Sequence, residues 1–146
     1  MPVTTTEFTV GLPRASLWSL LNDFERLGGC VPGCEEVKVL GPDDSQWKLK
    51  LAVGIVSRRI DARARVLERV EPSTMVIRID SLDGELSGSW KLSLSEIDHH
   101  STRVALSADI TARGAFEWVV NQIIRTQLSK MTNQFAACIS ELAAQS

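Results

Sequence analysis

Tyrosine is missing from this 146-residue chain, and aromatics make up only 5% of it, as four phenylalanines and four tryptophans. Rings so few and scattered offer no platform for stacking nucleobases. An excess of one charge is lacking too: 16 Lys+Arg face 18 Asp+Glu, a net charge of -2. That balance leaves no basic footprint, and nucleic acid is set aside as a partner. No apolar run approaches the roughly 18 residues that a membrane-crossing helix requires. The opening MPVTTTEFTV has neither the basic start nor the apolar stretch of a secretory signal. Cysteine is scarce and odd in number, three in all. Without a secretory signal, that count implies reduced thiols and a cytoplasmic location. Repeats, low-complexity tracts and linkers are also lacking, so residues 1–146 read as one domain able to bury one sizeable core.

The 44% of hydrophobic residues are laid out in changing periods. Phe8 and Val10 share a face of a short strand at 3–10. Leu17, Leu20, Leu21 and Phe24 then follow helical spacing behind Pro13, which suits a first helical turn, and Gly28-Gly29 ends the segment. Alternation takes over next. Val37 and Val39 are followed by Trp47, Leu49, Leu51 and Val53, and then by Ile60, Ala62, Ala64 and Val66. Further along come Met75, Ile77 and Ile79, then Leu86, Gly88, Trp90, Leu92 and Leu94, and last Val104, Leu106, Ala108, Ile110 and Ala112. Turn-forming stretches separate these runs at 41–45, 71–73, 81–85 and 98–101, so consecutive strands are antiparallel neighbours. After Gly114 the helical period returns, with Phe116, Val120, Ile123, Ile124, Met131, Phe135, Cys138 and Leu142 on one stripe. An apolar sheet face and an amphipathic helix must bury each other. The expectation is an α+β fold: a curved antiparallel sheet of about seven strands wrapped around one long C-terminal helix, with two short helices after strand one.

The inward set of the six main strands contains no Asp, Glu, Lys, Arg or His. General acid–base and nucleophilic catalysis need such groups, so no catalytic residue is assigned. Several inward positions are small: Ala62, Ala64, Gly88, Ala108 and Ala112. Either an apolar cavity remains above them, or Trp47, Trp90 and Phe116 fill the volume. The walls of such a cavity follow from register. Met75, Ile77 and Trp90 project from neighbouring strands, Ala62 and Ala64 leave space beside them, and Phe116, Ile123 and Met131 cover it from the helix. Gln127 lies on the same stripe, either turned inward as a hydrogen-bonding group for a ligand's oxygen or at the edge reaching water.

The stretch Cys30-Val31-Pro32-Gly33-Cys34 has three readings: a metal site, a redox pair or a corner. Zinc needs two further ligands, and adjacent His99 and His100 would point to opposite faces of a strand. A redox pair is usually spaced Cys-x-x-Cys, whereas three residues intervene here. Pro-Gly is a turn signal in its own right, and the stretch reads as a corner. No metal or cofactor is expected. Arg59, Asp61, Arg63 and Arg65 fall on the outer sheet face as a solvated, ion-paired ladder. Ile55 and Val56 occupy a turn beside Arg58 and Arg59, either a membrane-touching tip or a lid, and Trp118 lies off the helical stripe as a surface or interface residue.

The segments FTV and LPRASLWSLLNDFERLGGCVPGCEEV resemble the opening of the CoxG proteins, which are like the G subunit of carbon monoxide dehydrogenase. These fall within the SRPBCC superfamily of polyketide cyclases and START-type lipid-transfer proteins. The resemblance is carried by Phe8, Val10, Trp18, Leu21, Asp23, Leu27, Cys30, Pro32 and Gly33, and later by Gly54, Thr102, Asp109 and Gly114. It implies the helix-grip fold already read from the periods, with a cavity between sheet and helix. It also implies a non-catalytic binding protein holding a hydrophobic small molecule or lipid, such as a quinone. Such a protein is accessory to a molybdenum hydroxylase like carbon monoxide dehydrogenase, with peripheral contact at the inner face of the membrane. The alternative within the superfamily is a small cyclase or hydratase using the same cavity. The family often has Gly-Pro where this chain has Gly54-Ile55, and some members carry a membrane-attaching extension beyond the position of Ser146. Ligand binding, more than anchoring, is therefore the expectation.

Overall fold

The structure, a computed structural model, describes the backbone of residues 3–144, and the side chains of all of these except 3–4, 115–116, 128 and 143–144. The chain runs β1 (Val3–Val10), α1 (Arg14–Leu21), α2 (Phe24–Gly28), β2 (Cys34–Gly41), β3 (Asp44–Val53) and β4 (Val56–Val70). It continues through β5 (Thr74–Ser81), β6 (Leu86–Asp98), β7 (Ser101–Ala112), α3 (Ala115–Thr126) and α4 (Leu128–Ala144). The tight turns between β2 and β7 make each strand the antiparallel neighbour of the next, and β1 closes the order β1-β7-β6-β5-β4-β3-β2. The expected α+β helix-grip architecture of seven strands is the one observed.

Two elements differ from their sequence reading. The long helix is divided at Gln127, whose φ of -125° and ψ of -10° leave the helical region. Its N–H still donates to the Ile123 carbonyl at 2.9 Å and its carbonyl accepts from Met131 N–H at 2.9 Å, so the chain re-enters a helix at once. Strand β4 is also longer than its apolar run, at 15 residues. A bulge between Val66 and Glu68 shifts its alternation, so that Arg69 stands opposite Met75 on the inner face. There Arg69 donates to Asn22 Oδ1 at 2.7 Å and to the Pro42 carbonyl at 2.8 Å, and it pairs with Asp43. The guanidinium thus ties the end of α1 to the β2–β3 turn.

The tightest core lies where α1 and α2 meet the sheet. Val10, Leu17 and Ile139 are fully buried there, with Leu21, Met75, Leu94 and Val104 around them. Each such side chain contributes roughly 1.5–3 kcal/mol by leaving water. Cys30 belongs to this core and bonds Cys138 of α4, with 5.4 Å between the Cα atoms. The expectation of three reduced thiols is therefore corrected. The two sulfurs are 108 residues apart in sequence, and only the return of α4 over the α2–β2 corner brings them together.

Candidate functional site

Cross-strand pairing lays the inner face out in rows. One row runs Ala64, Ile79, Gly88, Ile110, and the next runs Val66, Ile77, Trp90, Ala108. A third runs Met75, Leu92, Leu106, Thr6 and adjoins the core. Ala62, Ala64, Ile77 and Trp90 therefore share one face as the alternation requires; the first two rows carry no ionisable group, whereas Arg69 stands at the β4 end of the third. Ala64 and Gly88 leave the first row low on either side of Ile79. Space at Gly88 is tight in its own plane, since a Cβ would stand 3.0 Å from the Asp109 carbonyl.

Burial divides this face in two. Ala62, Ala64, Met75 and Ala108 are buried. Ile77, Ile79, Trp90, Leu106 and Ile110 are only half-buried, although they point the same way as the core residues. Across from them, Ile123 of α3 and Met131 of α4 are half-buried too. Met75, expected in a cavity wall, is part of the closed core at the α1 end. The side chain of Phe116 lies outside the described residues. Gln127 sits at the joint between α3 and α4, half-buried, and its Nε2 donates to the Ala52 carbonyl at 3.3 Å.

Charge does reach the inner face at both ends of β4, which corrects the reading of a charge-free face. Arg69 is one case. Arg58 is the other: it stands opposite Leu51 on the inner face and pairs with Glu85 of the β5–β6 loop at 3.0 Å. The signal was present in the sequence, because Arg58 simply continues the alternation of Ile60, Ala62 and Ala64 by one step. In the same loop Ser81 Oγ donates to Asp83 Oδ1 at 2.7 Å and Glu85 N–H donates to the same oxygen at 2.9 Å. The Ser81 hydroxyl, followed by that amide, holds the Asp83 carboxyl below its ordinary range.

The remaining candidates fall where they were expected or nearer the surface. The Pro32-Gly33 stretch is a corner: Cys34 N–H donates to the Val31 carbonyl at 3.1 Å, and Gly33 has a φ of 85°. Cys34 is a half-buried free thiol whose pKa is pushed up, chiefly by burial. Among the described residues no cluster of three or more His, Cys, Asp or Glu is placed to hold a metal ion. His99 is exposed in the β6–β7 turn, Ile55 is fully exposed at the β3–β4 tip, and Trp118 is 52% exposed on α3. A concavity of about 330 Å³ on the outer face is lined by Glu36, Lys38, Gln46, Lys48, Asp61 and Leu82, with Trp47 and Ala62 also bordering it. Its charged, open walls, with Lys48 paired to Glu36 at 3.5 Å, do not suit an apolar molecule. No helix among the described residues is long and apolar enough to cross a membrane.

A curved antiparallel sheet holding C-terminal helices against its inner face is the START-type helix-grip fold, and solved structures share it. They include a conserved protein from Geobacillus kaustophilus (TM-score 0.86, 16% identity, 99% of this chain and 96% of that one). A START superfamily protein from Mycobacterium smegmatis is similar at TM-score 0.74 and 12% identity, over 98% of this chain and 97% of that one. The Zhui aromatase/cyclase from Streptomyces sp. R1128 is similar at TM-score 0.70 and 16% identity, over 99% and 94%. In sequence, the CoxG family, described as the G subunit of carbon monoxide dehydrogenase, matches residues 6–144, and the chain belongs to that family. None of the curated proteins matches it.

Proposed function

We propose that this single domain is a non-catalytic carrier of an uncharged hydrophobic small molecule or lipid, held between the inner sheet face and the two C-terminal helices. One observation carries the reading. Ile79, Trp90, Leu106 and Ile110 face the helices from mid-sheet yet stay half-buried, so the helices do not close down on them as they do on Met75 and Val104. A well-packed interior leaves few such gaps, and an apolar hollow that water can enter gains free energy when a ligand fills it. Ala62, Ala64, Ile77, Trp90, Ile123 and Met131 supply its walls, and Met75 its floor toward the core. The absence of ionisable groups from the first two rows favours carriage over the cyclase or hydratase chemistry known elsewhere on this fold.

Membership of the CoxG family supports a role beside a carbon monoxide dehydrogenase-like molybdenum hydroxylase in the cytoplasm, with a quinone as one candidate cargo. The exposed tip Ile55-Val56 gives such a carrier a place to touch the inner face of a membrane. The test is native mass spectrometry of the purified protein before and after solvent extraction, followed by titration with a quinone and with a fatty acid. An extractable apolar adduct, or saturable uptake at one molecule per chain, is expected. A protein that is empty as isolated and takes up neither compound would leave the fold without this function.

A further inference from the structure

The two C-terminal helices are held very differently. Helix α4 is locked: Ile139 is fully buried, Cys138 is bonded to Cys30, and Phe135 stacks edge-on against Phe8 with 6.0 Å between ring centroids. Arg26 Nη2 also donates to the Leu142 carbonyl at 3.3 Å. Helix α3 leaves β7 at Gly114 and reaches across to β3, so it spans β6, β5 and β4 toward the sheet end that carries the β3–β4 tip. Its described grip on the sheet is slight. Val119 and Val120 are buried, Ile123 and Ile124 only half, and Glu117, Trp118, Asn121, Arg125 and Thr126 are exposed.

Both ends of α3 are built to turn. Gly114 has a φ of 63° and a ψ of -136°, a conformation open to glycine and strained for other residues. At the far end the helix breaks at Gln127, and the side chain of that residue reaches the end of β3 through the Ala52 carbonyl. We infer that α3 is a hinged gate over the hollow, latched to β3 by Gln127, while α4 is the fixed wall. The inference rests on the cavity proposed above. It gives Gln127 a duty that a ligand-binding amide would not have: its N–H₂ is engaged by the protein's own backbone, and releasing it frees the distal end of the gate. Local openings of this kind draw on the least-buried elements, which describes α3 and not α4.

The experiment combines amide hydrogen exchange with stopped-flow binding of N-phenyl-1-naphthylamine, a neutral apolar fluorophore, in the parent, Gln127→Ala and Gln127→Glu. Above the carboxylate range Gln127→Glu keeps the size of the side chain but cannot donate to Ala52. In the parent, amides of 119–126 should exchange at least about tenfold faster than those of 135–142. Both variants should speed α3 exchange about fivefold, as loss of one hydrogen bond implies, and leave α4 unchanged. Probe association and dissociation should both quicken by a similar factor, with Kd nearly constant. Exchange in α3 as slow as in α4, or normal probe binding with unchanged rates, would overturn the gate alone. A change in Kd confined to oxygen-bearing ligands, with rates otherwise as in the parent, would also overturn it and make Gln127 a ligand anchor. A parent that takes up no probe would remove the cavity and the gate together.

Discussion

At Gly33 the backbone turns with a φ of 85°, and a Cβ there would lie 2.5 Å from the Lys50 carbonyl. The same peptide fixes the corner to β3, because Lys50 N–H donates to the Gly33 carbonyl at 2.7 Å. Gly33→Ala must adopt a left-handed conformation costing about 1–2 kcal/mol and also push β3 away, so the expected loss exceeds about 2 kcal/mol. Urea unfolding of the two proteins measures it. The surface pair Asp44–Arg63 makes a different prediction. Arg63 Nε donates to Asp44 Oδ1 at 2.8 Å, and this hydrogen bond, with the guanidinium charge, lowers the Asp44 pKa. A depressed carboxyl stabilises the fold above its unfolded value, about 3.9, and that contribution fades as pH falls through the lower folded value. Asp44→Asn should thus lower Tm slightly at neutral pH, and the two proteins should converge as pH falls from about 4 to 2. A parallel shift at every pH would contradict this. Single residues are also where the sequence is least legible. Arg58 lies one step beyond an apolar run and reads as part of the turn, and nothing local in the sequence pairs Cys30 with Cys138.

Periodicity makes the elements legible. The seven strands and the inward faces of Ile60 to Val66 and Leu86 to Leu94 follow from alternation, because a half-buried strand must repeat every second residue, and the short helices follow from the helical spacing of Leu17 to Phe24. Breaks in a period are harder to see. The stripe from Val120 through Met131 to Leu142 continues across Gln127, since that residue leaves the helix for one position only and the spacing of its neighbours barely registers it. The bulge after Val66 is similar, a one-residue slip that re-aims Arg69. At this scale the bond between the α2–β2 corner and α4 is the feature to test. Closing a loop of 108 residues restricts the unfolded chain, and its removal is expected to cost about 2–5 kcal/mol, or about 5–15 °C in Tm. Cys138→Ala and Cys30→Ala should each show that loss by calorimetry and should not be additive, whereas Cys34→Ser should leave Tm close to the parent's. Additive losses would mean that the two sulfurs are not bonded.

For the molecule as a whole, the decisive quantity is whether space exists between sheet and helices. Sequence alone leaves two outcomes open there, because the small residues Ala62, Ala64 and Gly88 permit a hollow and the bulk of Trp90 permits its filling. Three-dimensional packing separates the closed end, around Met75 and Leu17, from the half-buried end around Ile79 and Ile110. Ala64→Trp places an indole into the low row between Ile79 and β3. It should abolish uptake of the neutral fluorophore while circular dichroism and Tm stay within about 5 °C of the parent, since overpacking a site with free volume strains little. Uptake equal to the parent's would put the ligand elsewhere.

Because Cys30 is bonded to Cys138, every strand from β2 to β7 lies within one covalent ring, and only β1, α1, α2 and the end of α4 hang outside it as tails. A protease that cuts the exposed β3–β4 tip at Ile55 therefore opens the ring without dividing the molecule. The nicked chain keeps its mass, plus one water, on a non-reducing gel and in native spectra. It separates into two pieces only once a thiol reagent is added, so the integrity of this protein has to be judged under both conditions.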